Sequence, residues 1–236
     1  GCVYLVGAGP GDPELFTLRG ARLVAGADVV VYDNLVAPDI LELAPASAER
    51  IYVGKKAADH SLPQDEINQL LLKLAKENKR VVRLKGGDPF IFGRGGEEME
   101  LLVDAGIHVE VVPGVTAAAG VAAYAGIPLT HREHAQSVVF ATGFLKEGKI
   151  DLDWPMLARP QQTVVIYMGI SRLADICAQL VAHGLPPTTP AGVIERGTTH
   201  AQRVVVADLA TLAQRVLDEG VRPPSLTVVG SVVGLY

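Results

Sequence analysis

Residues 80–114 of the chain, RVVRLKGGDPFIFGRGGEEMELLVDAGIHVEVVPG, contain the unit that decides the fold. The pattern predicts a strand at 80–84, a helix at 95–105 and a second strand at 108–112. Both strands are largely apolar and β-branched, which is typical of strands that are covered on both faces. A helix between two such strands favours parallel pairing, so this unit predicts an α/β sheet.

The same alternation continues in both directions from this unit. Further strands are predicted at 3–6, 28–32, 50–53, 137–142, 163–167, 192–194, 203–206 and 225–229. Further helices are predicted at 15–25, 39–43, 64–78, 116–124, 172–183 and 209–218. No helix separates the strands at 192–194 and 203–206, which predicts antiparallel pairing there. We therefore expect two α/β lobes, residues 1–113 and residues 114–236.

Composition limits the function classes. The chain has 236 residues, of which 49% are apolar, and a net charge of −5, so it can bury a core but shows no basic excess for a nucleic-acid partner. Cys2 and Cys177 fit no metal or disulfide pattern, and no basic leader opens the chain, so we predict a cytoplasmic protein. The longest uncharged stretch, 111–130, is rich in alanine and glycine and contains two prolines, which predicts a packed helix rather than a membrane span.

A glycine turn, GAGPGD at 7–12, follows the first strand. A dinucleotide fingerprint would need glycine where the chain has Asp12, and Pro10 lacks the N–H that a phosphate would bind. An acidic residue about 20 positions further on, Asp33, keeps the nucleotide interpretation open. We favour a tight turn that lets a ligand approach the main chain.

Polar or glycine-containing segments follow several predicted strands. They are Asp33, Lys55-Lys56, Gly86-Gly87-Asp88, Met168-Gly169 and Glu195-Arg196-Gly197. Ligands of open α/β sheets bind outside the carboxyl ends of the strands, so we expect these residues to line one crevice. Each of them alone is equally well explained as part of a surface loop.

The loop at 85–98, KGGDPFIFGRGGEE, can bring its main chain close to a flat polar ligand such as adenosine. Arg94 and Glu97 lie at its end and are candidate functional residues, whereas Glu98 is explained by the dipole of the helix that begins there. In the segment THREH at 130–134, Arg132 is a candidate clamp for carboxylates. We predict no metal site, because the two histidines of this segment lack a further ligand cluster.

Taken together, the motifs resemble the tetrapyrrole methylases and, within that family, the uroporphyrinogen III C-methyltransferases. The resemblance runs from Val3 to about Val233 and is carried by VYLVGAGPGDPELFTLRG, VVVYDNLV, VGKKAADHSLPQDEIN, RVVRLKGGDPFIFGRGGEE, VVPGVTAAAGVAAYAGIPLTHR, YMG and VIERGT. The combination of KGGDPFIFGRGGEE with GIPLTHR is specific, whereas the opening glycine turn alone is not.

The resemblance implies a homodimer that binds S-adenosylmethionine, folded over, in a cleft between two α/β lobes. It implies two methyl transfers to uroporphyrinogen III, which give precorrin-2 for sirohaem, cobalamin or a related tetrapyrrole. Carried over by position, the residues that contact the cofactor are Pro10, Gly86, Gly87, Asp88, Ile91, Thr116, Ala117, Met168 and Gly197.

The resemblance also implies roles in catalysis. Asp33 and Lys55 match a proton acceptor and a proton donor, while Arg94, Glu97 and Arg132 match positions linked to substrate binding and proton removal. The base stays open between Asp33 and Glu97. Because the sequence contains no dehydrogenase or ferrochelatase module, we expect methylation alone.

Four alternatives remain at this point. They are a methylase of a later precorrin, a methylase of ribosomal RNA or of a modified protein residue, a nicotinamide dehydrogenase, and a binding module without catalysis.

Overall fold

The computed structural model describes residues 1–54, 62–144 and 150–236. The chain divides into two compact units, Gly1–Thr116 and Ala117–Tyr236. Each unit contains one five-stranded sheet with its own helices.

The first unit is a parallel sheet. Its strands are β1 (Cys2–Gly7), β2 (Val29–Tyr32), β3 (Glu49–Tyr52), β4 (Arg80–Lys85) and β5 (His108–Val112). Its helices are α1 (Leu18–Ala25), α2 (Pro38–Leu41), α3 (Gln64–Lys76) and α4 (Gly95–Asp104). The strand order is β3-β2-β4-β1-β5 and every pairing is parallel, as the alternation of strands and helices predicts.

Helices cover both faces of this sheet, which explains the nearly continuous apolar strands. On one face Leu5 of β1 belongs to the same core cluster as Leu71 of α3 and Leu102 of α4. On the other face Val6 belongs to a cluster with Val24 of α1. Because β2, β4 and β1 are adjacent and parallel, their carboxyl ends meet at one edge of the sheet. The packed helices hold the loops that follow these strands on a rigid base.

The second unit has a mixed sheet. Its strands are β6 (Ser137–Thr142), β7 (Gln162–Tyr167), β8 (Pro190–Glu195), β9 (Arg203–Asp208) and β10 (Ser225–Val229). Its helices are α5 (Ala117–Tyr124), α6 (Trp154–Leu157), α7 (Leu173–Ala182) and α8 (Leu212–Asp218). In the order β6-β7-β10-β8-β9 only β6 and β7 pair in parallel. The predicted antiparallel pairing of β8 with β9 is confirmed.

Two cores flank this second sheet. Val193 of β8 packs in a cluster with Leu180 of α7 and Leu212 of α8, whereas Ile194 packs with Val121 of α5. Successive residues of β8 thus face opposite layers, as the pleat of a strand requires.

Two local differences from the predicted elements have clear causes. The predicted helix at 15–25 starts later, at Leu18, because the Thr17 side chain accepts a hydrogen bond from the amide of Gly20 and caps the helix there. The predicted loop around Trp154 contains the short helix α6, which Asp153 caps. The uncharged stretch 111–130 contains only the eight-residue α5, and no helix among the described residues combines the length and apolar character that a membrane crossing requires.

Candidate active site

The glycine turn after β1 is tied to the loop after β4. Gly9 donates its amide to the Gly87 carbonyl at 3.2 Å, and Gly87 donates to the Gly9 carbonyl at 2.7 Å. Both glycines have left-handed backbone, with φ of 78° and 66°, which favours residues without a side chain. The Ala8 amide also donates to a main-chain carbonyl, that of Lys85. Two amides of this turn are therefore engaged within the protein, and Pro10 has none, which argues against a pyrophosphate cradle.

Asp88 fixes the shape of the glycine loop. One of its carboxylate oxygens accepts from the Phe90 amide at 2.8 Å, and the other accepts from the Gly114 amide at 3.0 Å. A side chain on Gly7 would lie 2.5 Å from the Gly114 Cα. The loops that follow β1, β4 and β5 therefore pack main chain against main chain.

The loop between Asp88 and α4 contains an unusual backbone. Phe92 and Arg94 have positive φ, 51° and 58°, although neither is glycine, and Phe90 and Phe92 are exposed. A β-carbon on Gly95 would lie 2.5 Å from the Pro89 carbonyl oxygen. Such left-handed residues cost stability and are found preferentially at functional sites, which supports a binding role for this loop.

Arg94 and Glu97 form a bidentate ion pair on the first turn of α4. The Arg94 Nε lies 3.0 Å from Glu97 Oε1, and Nη2 lies 2.5 Å from Oε2. Hydrogen bonding to Glu97 raises the pKa of Arg94 above its ordinary value. Both side chains are more than half exposed, so the pair contributes little to folding and remains open to an incoming carboxylate.

Asp33 follows β2 and is partly buried. Its Oδ1 accepts from the Leu35 amide at 3.0 Å, and its Oδ2 lies 3.5 Å from Nη1 of Arg83. Its side chain is 22% exposed, so the carboxylate can still meet a ligand. Lys55, the predicted proton donor, lies outside the described residues.

Arg83, Lys85 and Glu98 form a buried charged cluster that the sequence analysis did not predict. We call it the β4–α4 charge cluster. From the sequence, Glu98 was explained by the helix dipole alone, but its carboxylate is fully buried and paired with Arg83 and Lys85. A signal was present in β4, where two charged residues alternate with apolar residues in a strand covered on both faces.

In the second unit, two predicted cofactor residues follow the strands β7 and β8. Met168 comes after β7 with a positive φ of 53° and is 47% exposed, which is unusual for a large apolar side chain. Gly197 comes after β8 and packs against α5, where an added β-carbon would lie 2.5 Å from the Val121 Cγ2. Ala117 opens α5, and the following amide, that of Ala118, donates to the Tyr167 hydroxyl at 3.0 Å.

The remaining predicted cofactor residues belong to the first unit. Gly86 packs so closely that an added β-carbon would lie 2.5 Å from the Leu35 Cβ. Ile91 is half-buried and donates its amide to the Asp88 carbonyl, and Thr116 ends the unit. The structure thus gathers Asp33, Gly86, Gly87 and Asp88 at strand ends of one sheet.

The side chain of Glu195 does not share a face with the Gly197–α5 contact. It accepts from the Arg222 amide at 2.9 Å and from Nε of Arg203 at 2.6 Å, and Arg203 also donates to the Glu219 carbonyl at the end of α8. Burial raises the pKa of Glu195, but these hydrogen bonds outweigh it and leave the pKa below its ordinary value. A shallow basic concavity of ≈ 520 Å³ adjoins this pair.

Arg132 lies in a tight turn closed by hydrogen bonds between His131 and Ala135. The rings of His131 and His134 lie 4.8 Å apart, edge to face, and no group of three or more metal-ligating side chains occurs in the described ranges. Arg132 is exposed, and its guanidinium makes no ion pair within the described part of the chain. It is therefore available to an anion.

Comparison with known proteins identifies the family. The family model of tetrapyrrole (corrin/porphyrin) methylases matches residues 2–213. The chain belongs to this family. A relative named siroheme synthase, from Nitrosospira multiformis, is 61% identical over 236 residues, which are 100% of this chain and 50% of that protein. The chain therefore spans about half the length of the curated relatives it matches.

Solved structures of tetrapyrrole methylases agree with this assignment. Uroporphyrin-III C-methyl transferase from Thermus thermophilus, complexed with S-adenyl homocysteine, matches with a TM-score of 0.84 and 44% identity, over 100% of this chain and 95% of that one. A cobalamin biosynthetic enzyme, cobalt precorrin-4 methyltransferase, matches with a TM-score of 0.86 and 28% identity, over 98% of this chain and 95% of that one. The predicted family and the predicted α/β fold are confirmed.

Proposed function

We propose that this chain transfers methyl groups from S-adenosylmethionine to carbon atoms of uroporphyrinogen III. The observation that carries the proposal is the end-to-end similarity, at 44% identity, to a uroporphyrin-III C-methyl transferase whose crystal structure contains S-adenyl homocysteine. Identity to the cobalt precorrin-4 methyltransferase is only 28%, which favours uroporphyrinogen III over a later precorrin.

The residues present fit an adenosyl ligand. Gly9 and Gly87 have left-handed backbone, and Gly86 has no space for a side chain, so main chain lines the strand ends of the first unit. In the second unit Met168 offers an exposed apolar surface for a flat base. The proposed cofactor residues are Pro10, Gly86, Gly87, Asp88, Ile91, Thr116, Ala117, Met168 and Gly197. Asp88 contributes by shaping the loop, since both its oxygens already accept main-chain amides.

The bound sulfonium supplies an activated methyl group to a carbon nucleophile, so the protein needs to position the reactants and keep water away. Uroporphyrinogen III carries many carboxylates, and Arg132 offers an exposed guanidinium that can bind one of them bidentately. Arg94 can hold a second carboxylate if it releases Glu97 or shares its donors with it.

Methylation leaves positive charge on the tetrapyrrole, and a proton must then depart. Asp33 is the better proton acceptor in this arrangement, because its ion pair is the looser one. Arg94 holds both oxygens of Glu97, at 3.0 and 2.5 Å, whereas Arg83 lies 3.5 Å from one oxygen of Asp33. Lys55 is proposed as the proton donor on the family resemblance alone.

Two successive transfers would give precorrin-2. The name of the curated relatives, siroheme synthase, supports sirohaem as one destination, and cobalamin and related tetrapyrroles remain proposed destinations. The homodimer stays a prediction, which light scattering of the purified protein tests.

The test is an anaerobic assay with uroporphyrinogen III and S-adenosylmethionine labelled in the methyl group. We expect two labelled methyl groups in the tetrapyrrole, read by mass spectrometry. Absence of label, or label only when a later precorrin replaces uroporphyrinogen III, would overturn the proposal. Calorimetry with S-adenosylhomocysteine and with NAD separates it from a nicotinamide dehydrogenase, since only the former should bind.

A further inference from the structure

The β4–α4 charge cluster lies where an α/β protein normally buries apolar side chains. β4 is the central strand of the first sheet, and Arg83 and Lys85 extend from it on the face that carries Val81. Both residues are only 4% exposed, and Glu98 of α4 is 0% exposed. Removing three charges from water is costly, and apolar side chains of similar volume often give equal or greater stability. Folding alone therefore does not account for the cluster.

The hydrogen bonds of the cluster are unequally distributed. Oε1 of Glu98 lies 2.9 Å from the Lys85 Nζ, 3.3 Å from the Arg83 Nε and 3.2 Å from the Gln64 Nε2. Oε2 of Glu98 is buried and has no hydrogen-bond partner among the described residues. A buried polar atom of this kind calls for a functional explanation.

The charges of the cluster balance only when a fourth residue is counted. Arg83 and Lys85 provide two positive charges and Glu98 one negative charge, and burial, with Arg83 nearby, lowers the pKa of Lys85. The remaining positive charge is directed at Asp33, whose Oδ2 lies 3.5 Å from Arg83 Nη1. Among the residues that the structure describes, the charged groups around Asp33 are Arg83 and Lys85 of β4, with Glu98 of α4 behind them.

We propose that Arg83 and Glu98 are positioning residues that hold Asp33 as an oriented carboxylate at the end of β2. The Glu98 carboxylate fixes the Arg83 guanidinium through Nε, and Nη1 donates to the Leu84 carbonyl at 2.9 Å and faces Asp33 at 3.5 Å. The Leu35 amide fixes the other oxygen of Asp33. This inference rests on the proposed function, in which Asp33 takes the proton that leaves the tetrapyrrole.

The test compares pH profiles of kcat for two variants that weaken the hold of Arg83 on Asp33, one directly and one through Glu98. Arg83→Gln removes the cation that faces Asp33, so the acidic limb should move to higher pH. Glu98→Gln removes the anion that fixes the Arg83 Nε, so the limb should move in the same direction by a smaller amount. Arg83→Lys keeps the charge and should restore the wild-type profile. KM and the Kd of S-adenosylhomocysteine should stay within about twofold, well below the tenfold that 1.4 kcal/mol represents.

Glu195→Gln is the matched control, because it neutralises a similarly buried carboxylate that is paired with arginine in the second unit. It should leave the limb in place. Limbs that do not move, or a limb that moves to lower pH in Glu98→Gln, would overturn the inference.

A readout without turnover separates this inference from the proposed function. The carboxyl ¹³C resonance of Asp33 in aspartate-labelled protein, assigned through Asp33→Asn, should change position in Arg83→Gln and stay in place in Glu195→Gln. If wild-type protein does not methylate uroporphyrinogen III but the resonance changes in Arg83→Gln, the proposed function fails and the positioning of Asp33 stands. If methylation occurs and the resonance does not change, the inference fails alone.

Discussion

Glu98 in the first unit and Glu195 in the second are both buried carboxylates beside arginine, but their surroundings differ. Each oxygen of Glu195 has its own donor, and its partner Arg203 is 48% exposed at the side chain. Glu98 receives all its described donors on one oxygen, and both of its cationic partners, Arg83 and Lys85, are 5% exposed. The Glu195 pair completes a local structure. The β4–α4 charge cluster buries more charge than its own hydrogen bonds satisfy, and the excess is directed at Asp33.

The largest expected effect concerns stability. Glu98→Ala leaves two buried cations without their anion and should lower the free energy of unfolding by about 3–5 kcal/mol. Glu195→Ala should cost about 1–3 kcal/mol, because Arg203 can turn to water. Urea denaturation of both variants without ligand measures the difference. Equal losses would mean that the two carboxylates have equivalent environments, which would contradict the difference drawn between Glu98 and Glu195.

The exposed pair Arg94–Glu97 tests whether buried charges without enough partners indicate functional residues better than satisfied pairs do. On geometry alone this pair is well satisfied, whereas the family resemblance links it to catalysis. Glu97→Gln should lower kcat, because it weakens the hold on Arg94, but by less than the about 100-fold that loss of a proton-transferring group costs, while S-adenosylhomocysteine still binds. Asp175→Asn is the matched control, since Arg172–Asp175 is also an exposed pair three residues apart on a helix. A fully active Glu97→Gln would leave Asp33 as the base.

Arg132 provides the corresponding test in the second unit. The buried Glu195 of this unit is fully hydrogen-bonded, whereas the exposed Arg132 has no ion-pair partner among the described residues. Arg132→Ala should raise KM for uroporphyrinogen III about tenfold, which corresponds to about 1.4 kcal/mol. The Kd of S-adenosylhomocysteine should not change. Arg159→Ala, another exposed arginine of this unit, is the control. Parallel losses in substrate and cofactor binding would contradict a carboxylate clamp.

The fold followed from sequence because the periodic pattern is strong where strands are covered on both faces. Valine and leucine fill three of the four positions of β2 and three of the six positions of each of β1 and β4. Helical stretches separate these strands, so parallel pairing was predictable. The place of β10 between β7 and β8 was not, because it depends on pairing between strands far apart in sequence. The start of α1 depended on a single cap, the Thr17 side chain.

The candidate site was predictable only where the residue type itself carries the information. Glycines mark main-chain approach, and the turn at Gly9 and Gly87 agrees with that expectation. The role of Glu98 was hidden, because it is adjacent in sequence to Glu97. One residue turns a helix by about 100°, which directs Glu97 to solvent and Glu98 to the sheet. Which carboxylate meets Arg83 is therefore decided by how α4 packs.

The smallest expected effect is the pH dependence of the Glu195 pair. Burial alone would raise the pKa of Glu195, but the Arg222 amide and Arg203 leave it below the ordinary value of 4.5. The folded protein then binds this proton more weakly than the unfolded chain, so the stabilisation is complete above pH 4.5 and is lost as the pH falls through the folded pKa. Glu195→Gln should be less stable than wild type by about 1 kcal/mol at neutral pH, and the gap should close as the pH falls through the lowered pKa of Glu195. Urea midpoints at neutral and at acidic pH measure it, and a gap that persists in acid would show that packing, rather than the charge of Glu195, holds this part of the second unit.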